Sequence, residues 1–221
     1  MISAFRTLRA AIACSVLLAA SSAPIFAQVT ATAPIATVPQ YNERWDVYGG
    51  FSYAHFNPGA GEGSTLAATN LFGWNGDANL WFSPLFAIEA SARGYYGNIP
   101  LPPNRYVTGN PPMSENLFLF GPDFRFIRKQ NYAAGFHTLI GAAYGSFDKG
   151  FPPGIQPQII GVYNNKLAFG SAVGAWYDHN LSPKWSVRIT TDWQPTHYGL
   201  SWQNEFAGTA GIVYKLGSLK K

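Results

Sequence analysis

Asn116-Leu117-Phe118-Leu119-Phe120-Gly121-Pro122-Asp123-Phe124-Arg125-Phe126 places Phe118, Phe120, Phe124 and Phe126 on one side of an extended chain and Gly121, Asp123 and Arg125 on the other. Successive side chains of a strand point to opposite faces, so this segment meets two different surroundings, one apolar and one polar. The alternation suits a half-buried soluble sheet as well as a barrel in lipid. The rest of the chain decides between them.

The same pattern recurs on both sides of that stretch. Residues 45–56 set Val47, Gly49, Phe51 and Tyr53 against Asp46, Tyr48, Gly50 and Ser52. Residues 71–82 set Phe72, Trp74, Ala78 and Leu80 against Asn75, Asp77 and Asn79, and residues 86–96 set Phe86, Ile88, Ala90 and Ala92 against Glu89, Ser91 and Arg93. Downstream, 132–146 carry Phe136, Thr138, Ile140, Ala142 and Tyr144 opposite His137, and 166–178 carry Leu167, Phe169, Val173 and Tyr177 opposite Ala168, Gly170, Ala172 and Gly174. The last two windows, 185–193 and 205–216, put Trp185, Val187, Ile189, Phe206, Ile212 and Tyr214 opposite Arg188, Asp192, Glu205 and Lys215. Each window approximates the ~9–11 residues that cross a bilayer at a tilt.

The connections alternate as well. Those at 83–85, 128–131 and 179–184 are short, whereas 57–70, 99–114, 148–165 and 194–204 are long and hold most of the Gly, Pro and Asn. Short turns at one end and long loops at the other predict an all-β fold, an eight-stranded antiparallel up-and-down transmembrane β-barrel with both chain ends on the periplasmic side. Aromatic residues mark both ends of the strands: Trp45, Trp81, Phe82, Phe86, Trp185 and Tyr214 near the short turns, Tyr53, Phe56, Tyr96, Tyr144 and Trp193 near the long loops. They are expected to form two girdles at headgroup depth.

The N-terminus adds direction. Arg6 and Arg9 precede an apolar run over 10–20 and then small residues ending at Ala27, the order of a secretory signal peptide covering 1–27. The apolar run is too short to span a bilayer. A linker over 28–44, a barrel over 45–217 and a tail over 218–221 complete the expected organisation. Cys14 is the only cysteine and lies inside the signal, so the exported chain is held without disulfides. Charged residues make up 12% of the chain, against about 25% in an ordinary soluble domain. Removing Arg6 and Arg9 lowers the net charge from +4 to +2, and beyond Arg128-Lys129 and Lys220-Lys221 there is no basic run for a nucleic acid to bind.

Three stretches carry a family resemblance: Asp46-Val47-Tyr48-Gly49-Gly50-Phe51-Ser52-Tyr53, Leu119-Phe120-Gly121-Pro122 and Gly211-Ile212-Val213-Tyr214-Lys215-Leu216-Gly217. With them the whole mature chain resembles the small bacterial outer-membrane β-barrels of OmpA and OmpX type. The resemblance implies the cell outer membrane as location. It also implies outer-membrane lipids, periplasmic chaperones and the barrel-assembly machinery as partners. Such motifs belong to assembly and carry no activity. One departure is that residues 217–221 follow the last strand, where members commonly finish on an aromatic.

Eight strands enclose an interior just wide enough for side chains to fill. The inward set predicts a lumen charge network of Asp46, Asp77, Glu89, Asp123, Asp192 and Glu205 facing Arg93, Arg125, Arg188, Lys166 and Lys215, nearly balanced in sign. Gly135, Gly141, Ala168, Gly170, Ala172 and Gly174 are expected to leave room for those long side chains. Buried charges need partners, so the network predicts a plugged lumen rather than an ion path.

An enzyme would have to start from His55, His137, His179 or His197. Only His197, with Tyr198, Ser201 and Glu205 nearby, combines the types needed for a lipid A-modifying enzyme, and its spacing is not specific. No metal-ligand spacing or cofactor motif is present, since residues 59–63 lack the lysine and helix of a phosphate loop. Among the long loops, 148–165 holds Phe151, Ile155, Ile159, Ile160 and Val162, and five prolines stiffen 99–114. The expected function is a monomeric, non-enzymatic barrel with a structural or adhesion-like surface role and an extracellular ligand of unknown type. The alternatives are a lipid A-modifying enzyme and a narrow solute channel.

Overall fold

The computed structural model describes residues 41–58, 60–61, 64–107, 109–164 and 166–219. The expected signal peptide, residues 28–40 and the Lys220-Lys221 end lie outside the described residues. Eight long strands follow one another: β1 (Trp45–Asn57), β2 (Thr69–Trp81), β3 (Phe86–Asn98), β4 (Pro112–Arg128), β5 (Tyr132–Ser146), β6 (Leu167–Asn180), β7 (Trp185–His197) and β8 (Gln203–Leu216). Each pairs antiparallel with the next, and β8 returns to β1 from Trp45↔Leu216 to Asn57↔Asn204, closing the barrel. Closure leaves no strand edge, which a sheet in hydrocarbon requires because no water is there to satisfy free backbone groups.

Side-chain direction follows the alternation. Phe51, Phe118, Phe120, Ile140 and Phe206 stand outward, more than half exposed, in a continuous apolar belt. Asn75, Asp77, Glu89, Arg93, Asp123, Arg125, His137 and Glu205 turn inward and are buried. A belt of this extent is a surface built for lipid. Two aromatics expected in the girdles face the other way, for Phe56 and Trp81 are inward and buried. Parity decides their side: Trp81 falls in step with Asp77 and Asn79, and Phe56 with Ser52.

The strands run past the predicted windows, up to 17 residues in β4. The extra length lies mainly at the long-loop end, where pairs such as Ser114↔Ser146 keep the backbone bonded above the apolar belt. Pro122 sits in the middle of β4. The rungs on either side, Phe120↔Ile140 and Asp123↔His137, stay in one register. A shift between Arg125↔Gly135 and Ile127↔Ala134 marks a β-bulge near the short-turn end. A bulge bends the strand and re-aims its side chains, here beside Arg125.

The short connections are tight, with Phe82 N donating to Phe86 O, Lys129 N to Tyr132 O and Leu181 N to Trp185 O. In the first long loop Ala60–Gly61 pairs with Ser64–Thr65. The third holds a single 3-10 turn, Pro157–Ile160, stopped by Gly161 at φ 76°. Residues 41–44, at the end of the expected linker, pack onto the barrel mouth: Trp81 N donates to Arg44 O at 2.9 Å and Leu219 N to Asn42 O at 2.6 Å.

Candidate functional site

The lumen is filled in three layers. At the short-turn end Tyr41, Trp81, Ala87, Ala133 and Trp176 form a buried floor with Leu219 against it. Both indoles also bond carboxylates, Trp81 Nε1 donating to Asp46 Oδ2 and Trp176 Nε1 to Asp123 Oδ1, each at 2.7 Å. Tyr41 Oη donates to Lys129 O at 2.5 Å and accepts from Asn180 Nδ2 at 2.7 Å. Burial raises the pKa of this phenol above its ordinary 10.0. Tyr41 thus stops the mouth.

Three cations sit on the floor. Arg125 lies 3.6 Å from the centre of the Trp81 ring and 5.0 Å from that of Tyr41, with Nη2 2.6 Å from Glu43 and 3.5 Å from Asp46. Arg188 makes a fork onto Asp178 at 2.7 and 3.0 Å and faces the Trp176 ring at 4.6 Å. Lys215 Nζ donates to Asn180 Oδ1 at 2.7 Å. A planar guanidinium both stacks on aromatic rings and fits carboxylates two bonds at a time, a combination that an ammonium lacks.

The middle layer crosses the lumen from wall to wall. His137 on β5 holds Glu89 of β3 through Nδ1 at 2.9 Å and Asp192 of β7 through Nε2 at 2.7 Å. Asp192 meets Arg93 of β3 at 2.6 Å, and Arg93 also bonds Gln194 and Ser91. The circuit therefore begins and ends on β3. Beside it Thr209 bonds both Tyr48 and Thr190 at 2.7 Å. Gly174 matches the expectation of making room, because a β-carbon there would overlap the Asp192 carboxylate.

Acidic side chains in the lumen outnumber basic ones by more than the expected near-balance. Nine buried carboxylates, including Glu43, Glu115 and Asp178, stand against Arg93, Arg125, Arg188, Lys215 and His137. Lys166 is not in the lumen. It lies half exposed at the long-loop rim, 2.8 Å from Asp148, and that hydrogen bond holds the Asp148 pKa below its ordinary value. Glu43 and Glu115 fall just outside the windows in which the alternation was legible. At the top of the polar layer Glu115 and Glu205 are buried next to each other, with no ion-pair partner among the described residues.

Above them the lumen turns apolar. Phe147 meets Tyr198 edge-on at 4.9 Å and Tyr163 at 5.3 Å, while Tyr163 stacks on Tyr198 at 5.9 Å. Leu71, Leu117, Leu119, Met113, Leu139 and Val162 belong to the same buried apolar cluster, with Leu117 and Leu119 on the short-turn side of Glu115 along β4. The sequence signal was present in Leu117 and Leu119, which make both faces of β4 apolar at that end. Of the apolar residues in the third loop, Val162 joins this cap, Ile160 packs against it and Ile159 stays exposed.

The histidine cluster does not assemble. His197 faces outward with its ring 4.8 Å from Trp202, whereas Glu205 and Tyr198 point into the lumen. Ser201 Oγ accepts from Gln203 Nε2 at 3.0 Å. Among the described residues no group of three or more His, Cys, Asp or Glu side chains is placed to hold a metal ion.

No protein-family model matches the chain, and no curated protein matches it. Solved structures do. Neisserial surface protein A (NspA) matches with a TM-score of 0.52 at 10% identity, over 78% of this chain and 97% of that one. Ail, the attachment invasion locus protein of Yersinia pestis, matches with 0.50 at 14% identity, over 78% and 99%. The outer membrane protein OprG from Pseudomonas aeruginosa matches with 0.50 at 12% identity, over 80% and 97%. At such identities the likeness is one of fold: this chain has the eight-stranded β-barrel of small bacterial outer-membrane proteins.

Proposed function

We propose that the chain is a non-enzymatic integral outer-membrane barrel, anchored by its belt, whose long loops serve a structural or adhesion-like role at the cell surface. The observation that carries this reading is the lumen, filled by side chains that bond one another between two buried aromatic layers. Such an interior offers no open path, and loops are where a rigid scaffold carries recognition. Attachment and surface placement are recorded in the names of Ail and NspA for those proteins, and they are compatible with this reading. Its partners are outer-membrane lipids, periplasmic chaperones, the barrel-assembly machinery and an extracellular ligand.

Two measurements test it. The purified barrel in nanodiscs, applied to arrays of glycans and matrix proteins, is expected to bind at least one class and to lose it when residues 148–165 or 99–111 are replaced by short turns. Mass spectrometry of lipid A from cells with and without the protein is expected to show one acyl pattern. A changed pattern that reverts with His197→Ala would replace this reading with that of a lipid-modifying enzyme.

A further inference from the structure

The tip between β7 and β8, residues 198–202, presents two large apolar side chains in a fixed position. Leu200 is 83% exposed and Trp202 50% exposed. The tip is not loose, because the buried Gln203 clamps it from within: Oε1 accepts from Tyr198 N at 2.6 Å, and Nε2 donates to Ser201 O at 2.9 Å. Gly199 turns the chain at φ 65°. Tyr198 is pinned in the aromatic cap, so Leu200 and Trp202 are held out against the entropy that a free loop would keep.

Their neighbours show what they are held against. Trp202 lies edge-on to Phe169, 6.1 Å away, and both stand on the outer wall, in line with Phe206 of the belt. Two polar residues share the patch: Asn204 accepts a hydrogen bond from the Trp193 indole at 3.1 Å, and the His197 ring lies edge-on to Trp202 at 4.8 Å. Elsewhere the outer wall turns polar at once beyond its last aromatic: His55 follows Tyr53, Asn98 follows Tyr96, and Asn70 precedes Phe72. The apolar belt therefore climbs higher over β6 and β8, through Leu167, Phe169 and Trp202, than over β1 to β3.

We infer that residues 198–202 form an interfacial anchor that lies against the outer-leaflet lipid, extending the belt on one side and tilting the barrel toward β6–β8. Continuity with the belt selects lipid as the occupant, and an indole paired with a leucine suits the boundary of headgroups and acyl chains. The tip is thereby withdrawn from water. The other three long loops remain as the water-facing surface.

The exported chain has no cysteine, so Leu200→Cys gives a unique site for a nitroxide, read by spin resonance in phosphatidylcholine nanodiscs holding one barrel each. Ile189→Cys in the belt and Pro153→Cys in the third loop are the references, and heat-modifiable gel mobility confirms folding of each. The label at 200 is expected to collide with oxygen and be shielded from a water-soluble nickel chelate, as at 189. Adding Trp202→Ser should return it toward the behaviour at 153. Nickel access equal to that at 153 would overturn the inference. So would shielding that appears only in crowded vesicles, which would assign the patch to a second copy.

Discussion

Phe124 and Arg125 are adjacent, and between them runs the boundary between lipid and lumen. Phe124 stands outward among Phe86 and Phe136, each ring centre 5.2 Å away, while Arg125 is enclosed by Trp81, Tyr41 and Glu43. A cation on the lipid face costs roughly 2–4 kcal/mol at mid-bilayer, and less near the interface where this pair lies. Phe124→Arg is therefore expected to lower the yield of inserted barrel, scored by heat-modifiable mobility after refolding into vesicles. Arg125→Ala should insert but unfold more easily, by about 3–5 kcal/mol, because Glu43 and Asp46 lose a buried partner. Arg125→Lys should recover only part of this, keeping charge without the stacked plane; urea titrations compare the three. Equal tolerance of the substitutions at 124 and 125 would contradict the register. Parity made both faces legible in the sequence, but it could not show which carboxylate each cation finds. Trp81 shows the limit from the other side: the preference of aromatics for headgroups suggested the girdle, while its indole N–H found Asp46 inside.

At the scale of elements, the strands were legible wherever one face was apolar and the other polar. They ceased to be so at 112–115, where the inward Met113 and Glu115 share no polarity and Ser114 is buried on the other face, so the alternation does not reveal the first rungs of β4. The segment 41–44 was illegible for a different reason. Four residues have no period, and their meaning comes only from the mouth they enter. Tyr41→Ala should cost roughly 3 kcal/mol, the low end for truncating a buried aromatic. The raised phenol pKa adds a pH dependence: the folded chain holds this proton more tightly than the unfolded one. The stabilisation is thus complete below the ordinary value of 10.0 and lost as pH rises through the higher folded value. Between pH 8 and pH 11 the wild type is expected to lose more unfolding free energy than Tyr41→Phe, which has no proton there to lose. Parallel losses in the two proteins would show that Tyr41 is not part of the alkaline response.

For the whole molecule, the three layers stand in series along one axis, and current through closures in series is set by the tightest. The floor rests on Tyr41, Trp81 and Trp176, the middle on the circuit through His137, Asp192 and Arg93, and the ceiling on Phe147, Tyr163 and Tyr198. An eight-stranded wall cannot widen to bypass them, because its diameter follows from strand number and stagger. Wild-type protein in planar bilayers is therefore expected to show no steady single-channel steps. Tyr41→Ala alone and Tyr198→Ala alone should be equally silent, since each leaves two closures intact. Even the double variant should pass no more than brief, small events while the middle circuit stands. The excess of carboxylates inside would bias any such events toward cations, which a salt gradient across the bilayer measures as a reversal potential. Large, regular steps from the wild type, or from either single variant, would mean that the layers move together, and would put a narrow solute channel in place of a closed anchor.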